Sequence, residues 1–512
     1  MSIPEVSTIP ELLSTGQDHA IAIDAPDRTA LTYAGLRAHV EQTVATLNGL
    51  GIGRNDRVAI ILPNGPEMAS AFASIASGAT TAPLNPACRR EEFEFYLSNL
   101  GANALLVERG SDSPAIEAAA ALNVPVLEIV VDESQAAGLF AIHPRDGSDA
   151  DEPASSGGMA EADDVALVLH TSGTTARPKI VLLNHSNVCV SAGNIRNTLK
   201  LTPDDHCMNI MPLFHIHGLM APVLATLSTG ASVYCTVGFN ALRFFTWLDD
   251  AKPTWYSAVP TMHQAILARA ERNKEIIDAT QLRFIRSSSS SLPPQVMKQL
   301  EETFKTPVIE AYAMTEASHQ MTSNPVPPGE RKPGTVGLPA GPEVSIMDQE
   351  GSLLPAGTVG EIVIRGRNVT LGYENNPKAN AENFTNSWFR TGDQGLMDED
   401  GYLTITGRLK EIINRGGEKI SPREIDDVLM DHPSVQQVVT FAIPHDKLGE
   451  EVAAVIVLRE GTEATEREIQ TFAGKRLVKF KVPRRILFLE EIPKGPTGKM
   501  QRIGLAEQLG IA

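Results

Sequence analysis

The sequence predicts an α/β protein with a large N-terminal domain and a small α+β C-terminal domain. Its 512 residues exceed what one hydrophobic core usually holds. Short apolar runs alternate with amphipathic stretches up to about residue 340, and shorter segments separated by Gly and Pro follow. Alternating strands and helices are typical of parallel βαβ units. The large domain is therefore predicted to hold two βαβ-type subdomains and a small β-barrel.

The first βαβ series is predicted within residues 1–145. Its apolar runs predict strands at 57–62, 82–85, 104–107 and 126–131, and its amphipathic stretches predict helices at 66–79 and 91–100. Residues 145–164 are rich in Ser, Gly, Ala and Asp and have little to bury, which predicts a surface linker. The pattern restarts with a strand at 165–170, which opens a second series.

The character of the sequence changes again after Gly341. Short alternating segments such as 361–365 and 402–406 predict the β-barrel. The remainder indicates a compact α+β module, with helices at 422–431 and 466–477 and strands at 438–443 and 452–458. These segments place the domain boundary near residue 408, which divides the chain into domains 1–408 and 409–512.

Composition excludes several classes of function. The 44 Lys and Arg against 62 Asp and Glu give a net charge of −18, which argues against a nucleic-acid surface or a polybasic membrane contact. The four cysteines form no C-x-x-C pair and are expected to be reduced and buried. Neither a signal sequence nor an apolar run of membrane-spanning length is expected. The chain is predicted to be a cytoplasmic enzyme, monomeric or a small homo-oligomer.

A loop rich in small residues follows the strand at 165–170. It reads Thr171-Ser-Gly-Thr-Thr-Ala-Arg-Pro-Lys179, so backbone N–H groups, hydroxyls and one ammonium are concentrated in nine residues. Such a loop can hold phosphate oxygens. Its spacing is not that of a Walker P-loop. A purely structural turn remains an alternative for the loop taken alone.

Five further segments follow this loop in a fixed order. They are EAYAMTE at 310–316, TGD at 391–393, GRLKE at 407–411, NRGGEK at 414–419 and PKGPTGK at 493–499. In this order and at these separations they resemble the adenylate-forming superfamily of acyl-CoA synthetases and luciferases over nearly the whole chain. The resemblance implies a two-step reaction. A carboxylate first attacks ATP to give an acyl-adenylate and pyrophosphate, and coenzyme A then displaces AMP to give a thioester.

The same resemblance implies roles around the phosphates. Thr315 is expected to bind the α-phosphate, Glu316 to hold Mg²⁺, and Lys499 to bridge the two anions as the catalytic lysine. The residues expected to cradle the β- and γ-phosphates are Thr171, Ser172, Gly173, Thr174, Thr175 and Lys179.

Further roles concern the nucleoside, the hinge and coenzyme A. Tyr312 is expected against adenine, with backbone contacts from Glu310 and Ala311. Asp393 and Arg408 are expected to bind ribose, and Lys410 matches the hinge about which the C-terminal domain rotates. The glycines expected to let the pantetheine arm approach the backbone are Gly416 and Gly417, for which a plain turn is the alternative.

The segments expected to line the acid pocket are unusually polar. His215 stands in MPLFHIHG, Arg286 precedes five serines (Ser287 to Ser291), and His319 closes TEASH. Such polar groups would lose water without replacement against an alkyl tail, whereas a second carboxylate would restore their hydrogen bonds. His206 and His217 are expected to be structural.

These acid-pocket segments are similar to those of the plant and yeast oxalate–CoA ligases. That similarity assigns substrate contacts to Ser289 and His319, with the choice among the five serines left open, and His215 matches a pocket-gating histidine of many relatives in the superfamily. It predicts an ATP-dependent ligase for oxalate. The alternatives are a ligase for malonate or another short acid, a module that loads a carrier protein, and a non-catalytic relative, which retention of Glu316, Asp393 and Lys499 disfavours.

Overall fold

The computed structural model describes residues 6–147, 152–171, 178–493 and 500–512. The strands are β1 (Ile21–Asp24), β2 (Leu31–Thr32), β3 (Arg57–Ile61), β4 (Thr80–Pro83), β5 (Ala104–Glu108), β6 (Val126–Val130), β7 (Ala141–Pro144), β8 (Val165–Thr171), β9 (Lys179–Asn184), β10 (His206–Asn209), β11 (Ser232–Cys235), β12 (Trp255–Ala258), β13 (Phe284–Ser287), β14 (Val308–Met314), β15 (His319–Ser323), β16 (Leu338–Pro339), β17 (Glu343–Met347), β18 (Gly360–Arg365), β19 (Phe384–Thr385), β20 (Trp388–Met397), β21 (Leu403–Arg408), β22 (Ile413–Arg415), β23 (Glu418–Ile420), β24 (Val435–His445), β25 (Gly449–Leu458) and β26 (Arg485–Phe488).

The helices lie between these strands as the alternating pattern predicts. The α-helices are α1 (Ile9–Leu13), α2 (Tyr33–Gly49), α3 (Pro66–Ala76), α4 (Arg90–Leu100), α5 (Pro114–Ala121), α6 (His185–Leu199), α7 (Ile216–Gly218), α8 (Phe244–Ala251), α9 (Pro260–Ala270), α10 (Lys274–Ala279), α11 (Pro294–Phe304), α12 (Pro377–Asn383), α13 (Pro422–Met430), α14 (Glu466–Gly474) and α15 (Leu505–Gln508). A π-helix covers Leu219–Ala225, and 3₁₀ turns cover Glu271–Asn273, Thr315–Ala317, Leu409–Glu411 and Lys479–Lys481. None of the helices in the described ranges is long and apolar enough to span a bilayer.

Two large sheets form the N-terminal part. The first has seven strands in the order β7-β6-β5-β3-β4-β8-β9, and the second has nine in the order β16-β15-β14-β13-β12-β10-β11-β1-β2. Their central strands pair in parallel and are buried on both faces, which explains why they read as continuous apolar runs. The predicted α/β class is therefore confirmed.

The division of the chain between these sheets differs from the prediction. The strand Val165–Thr171 (β8) does not open the second series. It pairs with β4 and with β9, and β9 is the edge strand of the first sheet. The N-terminal strand β1 instead pairs with β11 in the second sheet. Short apolar runs do not specify their neighbours, so the sequence pattern cannot distinguish these two pairings.

The predicted linker lies on the surface but is hydrogen-bonded to α2 and to the loop before β3. In its described part, Asn48 Oδ1 accepts from Gly158 N at 2.6 Å, and Ser156 O accepts from Arg54 N at 2.8 Å. Ala160 is buried. Low hydrophobicity in residues 152–164 therefore indicates a surface position and not a lack of contacts.

Two smaller sheets complete the fold. Antiparallel strands β17, β18, β20, β19 and β21 form the unit predicted as a small barrel, and β22 to β26 form the C-terminal sheet. Apolar side chains on both faces of the C-terminal sheet make clusters whose buried members all come from residue 413 onward. The small C-terminal domain thus has its own core, and it contacts the large domain where Arg423 donates to the carbonyl of Ile405 at 2.7 Å.

Candidate active site

The predicted site residues converge where the strands of the nine-stranded sheet end. Ser257, Arg286 and Glu310 belong to the adjacent parallel strands β12, β13 and β14, and the 3₁₀ turn with Thr315 and Glu316 follows β14 directly. In open α/β sheets, ligands bind at the carboxyl ends of the strands. Sheet pairing thus brings together segments that lie far apart in the sequence.

Tyr312, Asp393 and Arg408 form one hydrogen-bonded group. Tyr312 donates its hydroxyl to Asp393 Oδ2 at 2.5 Å, and Arg408 Nε donates to Asp393 Oδ1 at 3.0 Å. Asp393 and Arg408 face each other in the register of β20 and β21. The Asp393 carboxylate raises the pKa of Arg408, and burial, followed by this same carboxylate, raises the pKa of Tyr312. Asp393 and Arg408, the two residues expected to bind ribose, therefore form an ion pair with each other.

Glu316 lies in a second group with Tyr373 and Lys179. The Tyr373 hydroxyl donates to Glu316 Oε1 at 2.7 Å, and Lys179 Nζ stands 4.2 Å from the centre of the Tyr373 ring. Burial raises the pKa of Glu316, partly offset by Tyr373 and Lys179, and burial lowers the pKa of Lys179. We call these two groups, with their six side chains, the carboxylate region: Tyr312, Asp393, Arg408, Glu316, Tyr373 and Lys179.

Glu316 is suited to a magnesium ion bound together with phosphate. A buried carboxylate supplies the hard oxygen ligand that Mg²⁺ takes, while waters and phosphate oxygens complete such sites. Among the described residues, no three His, Cys, Asp or Glu side chains gather into a ligand set. Glu316 therefore fits an ion held largely by the nucleotide.

Glu310 and Ala311 are buried beneath this region. Glu310 Oε1 accepts from Leu292 N at 2.9 Å, and burial raises the pKa of Glu310 to about 7. The carbonyl of Ala311 accepts from the Ser288 hydroxyl at 2.9 Å. The Glu310 side chain thus anchors the segment that follows the serines, a role that the motif alone did not predict.

Several predicted residues flank the site or lie outside the described part. Thr171 is the register partner of Lys179 across β8 and β9, and Thr315 is partly exposed. Lys410 is exposed in the 3₁₀ turn after Arg408. The predicted residues that lie outside the described ranges are Ser172, Gly173, Thr174, Thr175 and Lys499.

Gly416 and Gly417 form the turn of a β-hairpin. They connect β22 to β23 with φ values of 58° and 99°. Two consecutive positive φ angles are what a tight two-residue hairpin turn requires, which explains the glycines locally. The alternative of a plain turn therefore accounts for these residues, and their contact with coenzyme A stays a prediction.

A second, fully polar group includes residues of β15, the strand that follows the turn with Glu316. His217 Nδ1 is 3.0 Å from Ser289 Oγ, and His217 Nε2 is 2.6 Å from Ser257 Oγ and 3.3 Å from Arg286 Nη1. Arg286 Nη2 donates to Gln320 Oε1 at 3.4 Å. Together with His319 we call these side chains the polar cluster: His217, Ser257, Arg286, Ser289, His319 and Gln320.

The structure distinguishes among the five serines. Ser287 and Ser288 are buried, and the Ser288 hydroxyl is used by Ala311. Ser290 and Ser291 are exposed, whereas Ser289 is half-buried beside His217. Ser289 is the member of the polar cluster that is partly open to solvent, since the other five are fully buried.

Backbone strain is concentrated at this cluster. Ser289, Ser318 and His319 adopt positive φ angles of 72°, 49° and 98°. Non-glycine residues pay for such conformations, and strain of this kind is characteristic of functional sites. His319 is completely buried and stacks on His217, with ring centroids 4.9 Å apart. Its stacking on His217 agrees with a role in the polar cluster through His217.

His215 lies at the edge of the same region. Its Nδ1 accepts from His217 N at 3.2 Å and so caps the short helix α7. The neighbouring Phe214 borders a cavity of about 370 Å³, whose walls are almost entirely apolar, for example Leu62, Ile210 and Met262. The surroundings of His215 are therefore less uniformly polar than the sequence predicts.

Five members of these groups were not predicted as site residues from the sequence: His217, Ser257, Arg286, Gln320 and Tyr373. His217 was expected to be structural, and the structure shows it buried and in hydrogen-bonding contact with Ser289, Ser257 and Arg286. Arg286 was noted without a role, and the burial of its guanidinium is visible only in three dimensions. Tyr373 carries no motif that would single it out. An arginine inside an apolar strand, FIRS, was the available signal for Arg286.

Comparison with known proteins gives consistent matches. Residues 13–374 match the family model for AMP-binding enzymes, and residues 424–499 match that for the AMP-binding enzyme C-terminal domain. An oxalate–CoA ligase of Arabidopsis thaliana is 45% identical, covering 94% of this chain and 96% of its own. One of Saccharomyces cerevisiae is 45% identical, covering 97% and 96%. The ATP-bound structure of MatB from Rhodopseudomonas palustris superposes with a TM-score of 0.87 at 27% identity, covering 98% of both chains.

Proposed function

The chain belongs to the AMP-binding enzyme family, and we propose that it is an AMP-forming ligase that joins oxalate to coenzyme A with ATP. Its relatives named as oxalate–CoA ligases span nearly the whole chain. The observation that carries the choice of acid is the polar cluster, in which a buried guanidinium and the His319 ring contact His217, and His217 contacts the partly open Ser289. A second carboxylate would complete the hydrogen bonds of such a group.

The first step joins two anions. A carboxylate oxygen of oxalate attacks the α-phosphorus of ATP, the bond from phosphorus to the bridging oxygen of pyrophosphate breaks, and oxalyl-AMP and pyrophosphate form. Two unit charges 4 Å apart repel by about 4 kcal/mol at an effective dielectric constant of 20. We assign Lys499 to offset this repulsion, with Thr315 on the α-phosphate and Lys179 among the residues that hold the outer phosphates.

The nucleoside is held by the carboxylate region in this proposal. Asp393 keeps free lone pairs beyond its bonds from Tyr312 and Arg408, so it can accept from ribose hydroxyls. Magnesium bound at Glu316 would neutralise phosphate charge. The Tyr373 hydroxyl orients the Glu316 carboxylate for this purpose.

The second step transfers the acyl group. The sulfur of coenzyme A attacks the carbonyl carbon of oxalyl-AMP, the bond from that carbon to the phosphate oxygen breaks, and oxalyl-CoA and AMP leave after the thiol proton is lost. We propose that Gly416 and Gly417 meet the pantetheine arm and that Lys410 is the hinge between the two steps.

The four cysteines are free, which supports a cytoplasmic, reducing location.

A second candidate acid follows from the apolar cavity beside Phe214. Its walls would favour an acid with an alkyl tail, since apolar surface there would be removed from water. Malonate remains the short alternative, because a serine cluster does not define the depth of a pocket.

The test is a panel of acids. Pyrophosphate release and thioester formation are measured with oxalate, malonate, acetate, coumarate and octanoate, with and without coenzyme A. We expect the highest kcat/KM with oxalate, and a thioester only when coenzyme A is present. A higher kcat/KM with malonate or octanoate would identify that acid, and not oxalate, as the substrate. Pyrophosphate release without an acyl-CoA product would instead indicate a carrier protein as acceptor.

The assignment of Lys499 has its own test. Lys499→Ala is expected to abolish pyrophosphate release with oxalate, while thioester formation from supplied oxalyl-AMP continues. Loss of both steps would contradict the assignment of Lys499 to adenylation alone. Lys494→Ala, five residues earlier, serves as the control for a change of charge in the same segment.

A further inference from the structure

Arg286 carries a buried positive charge that the fold does not neutralise. Its side chain is completely buried at the end of β13, and no carboxylate in the described part of the chain forms an ion pair with it. Burial lowers the pKa of Arg286 to about 9, which leaves it charged at neutral pH. Burying an unpaired charge is costly to folding, so this arrangement calls for a reason other than stability.

The contacts of Arg286 lead to Ser289 through His217. Arg286 Nη1 donates to Ser257 Oγ at 3.3 Å and lies 3.3 Å from His217 Nε2. Ser257 Oγ is 2.6 Å from the same imidazole nitrogen. Ser257 and Arg286 are register partners on β12 and β13, so the sheet itself holds this geometry.

The direction of these hydrogen bonds is determined by the guanidinium. An arginine can only donate, so His217 Nε2 must accept and cannot carry a proton. The imidazole proton is then on Nδ1, from which His217 donates to Ser289 Oγ at 3.0 Å. Because the Ser289 oxygen accepts from His217, the Ser289 hydroxyl hydrogen is available for an acceptor on the open side.

We propose that Arg286 is a positioning residue that sets acid specificity: through His217 it orients Ser289 as a hydrogen-bond donor toward the second carboxylate of a dianionic acid. This inference rests on the proposed function for the identity of the acid. The positive charge of Arg286 stands behind the donor and compensates the second negative charge. A monoanionic acid of similar length gains neither interaction.

The first experiment replaces the guanidinium with an apolar side chain. Arg286→Met is compared with the wild type by the KM for oxalate, the KM for ATP, and the Ki of glyoxylate, which has one carboxylate, as a competitor of oxalate. We expect the KM for oxalate to rise roughly tenfold to hundredfold, with the other two constants changed by less than about threefold. Equal losses for oxalate, glyoxylate and ATP would mean that Arg286 only supports the fold.

Thermal stability separates the two roles. Because Arg286→Met removes a buried unpaired charge, its Tm should equal or exceed that of the wild type. The matched control is Arg283→Met, one residue before β13, where Arg283 forms an ion pair with the buried Asp205. This control should lower Tm and leave the KM for oxalate unchanged. A lower Tm for Arg286→Met would contradict the proposal.

The second experiment tests the direction of the hydrogen bond. In His217→Asn the amide nitrogen can occupy the place of Nδ1 and still donate to Ser289, whereas in His217→Gln it lies near the place of Nε2. We expect His217→Asn to retain a lower KM for oxalate than His217→Gln. The reverse order, which follows the better match of Gln to the volume of His, would overturn the relay.

The outcomes for the two proposals are distinct. If the wild type does not use oxalate, the proposed function fails, and the His217 pair is then measured with the acid that is used. If the wild type uses oxalate, and Arg286→Met changes the KM for oxalate and the Ki of glyoxylate by the same factor, only the proposed role of Arg286 fails.

Discussion

The carboxylate region includes Glu316 in the 3₁₀ turn Thr315–Ala317, the polar cluster includes His319 two residues after that turn, and the two groups differ in how charge is balanced. In the carboxylate region each anion has a cation nearby, with Arg408 bonded to Asp393 and Lys179 close to Glu316. In the polar cluster Arg286 is buried among neutral side chains. A region that balances its own charge suits a nucleotide that brings its own magnesium ion and binds Asp393 through neutral ribose hydroxyls, whereas a region with excess positive charge suits an anion without a metal ion.

The largest effect expected from this comparison is at Glu316. Glu316→Gln keeps the shape and the bond from Tyr373 but removes the charge that would bind magnesium. We expect kcat for adenylation to fall roughly a hundredfold, because phosphate charge is no longer offset. The KM for oxalate should stay unchanged in steady-state assays. A large change in that KM would mean that the two regions are not separate.

The next effect concerns the ion pair at Asp393. Asp393→Asn leaves an acceptor for Tyr312 but leaves Arg408 without its counter-charge. The KM for ATP should rise about tenfold, and the KM for oxalate should not follow it. Equal binding of ATP by variant and wild type, measured by calorimetry, would contradict the ribose assignment.

A smaller effect is expected at His319, which belongs to the polar cluster. His319→Ala removes the ring that stacks on His217 and so loosens the donor to Ser289. The KM for oxalate is expected to rise by about five- to tenfold, and that for ATP by less than about twofold. Parallel increases in both constants would reduce His319 to a structural residue.

The smallest effect concerns stability and pH at Glu310. Burial raises the pKa of Glu310 from 4.5 to about 7 in the folded protein, so the folded state binds the proton more tightly than the unfolded state. Stability from this group is complete below pH 4.5 and is lost as pH rises toward 7. Glu310→Gln should therefore gain Tm relative to the wild type progressively between pH 4.5 and 7. A difference in Tm that does not depend on pH would contradict this origin.

The motifs predicted one region much better than the other. Tyr312, Glu316, Asp393 and Arg408 stand in segments whose order is informative, and the structure brings all four to one edge of the sheet. In the polar cluster, the sequence indicated polarity and pointed to Ser289 and His319, but it assigned His217 to the fold. Hydrogen-bond direction depends on which neighbours are buried, and no spacing in the chain encodes that.

The sequence by itself determined the α/β class, the separate C-terminal module and the order of the nucleotide motifs, because period, composition and turn residues are local properties. The tertiary structure decided which strands share a sheet, since β8 joins the first and β1 the second. It also decided that Arg286 lies beside His217 and Ser257, away from carboxylates. Such properties depend on pairing between distant segments, and the energy of a buried charge is set by everything that surrounds it.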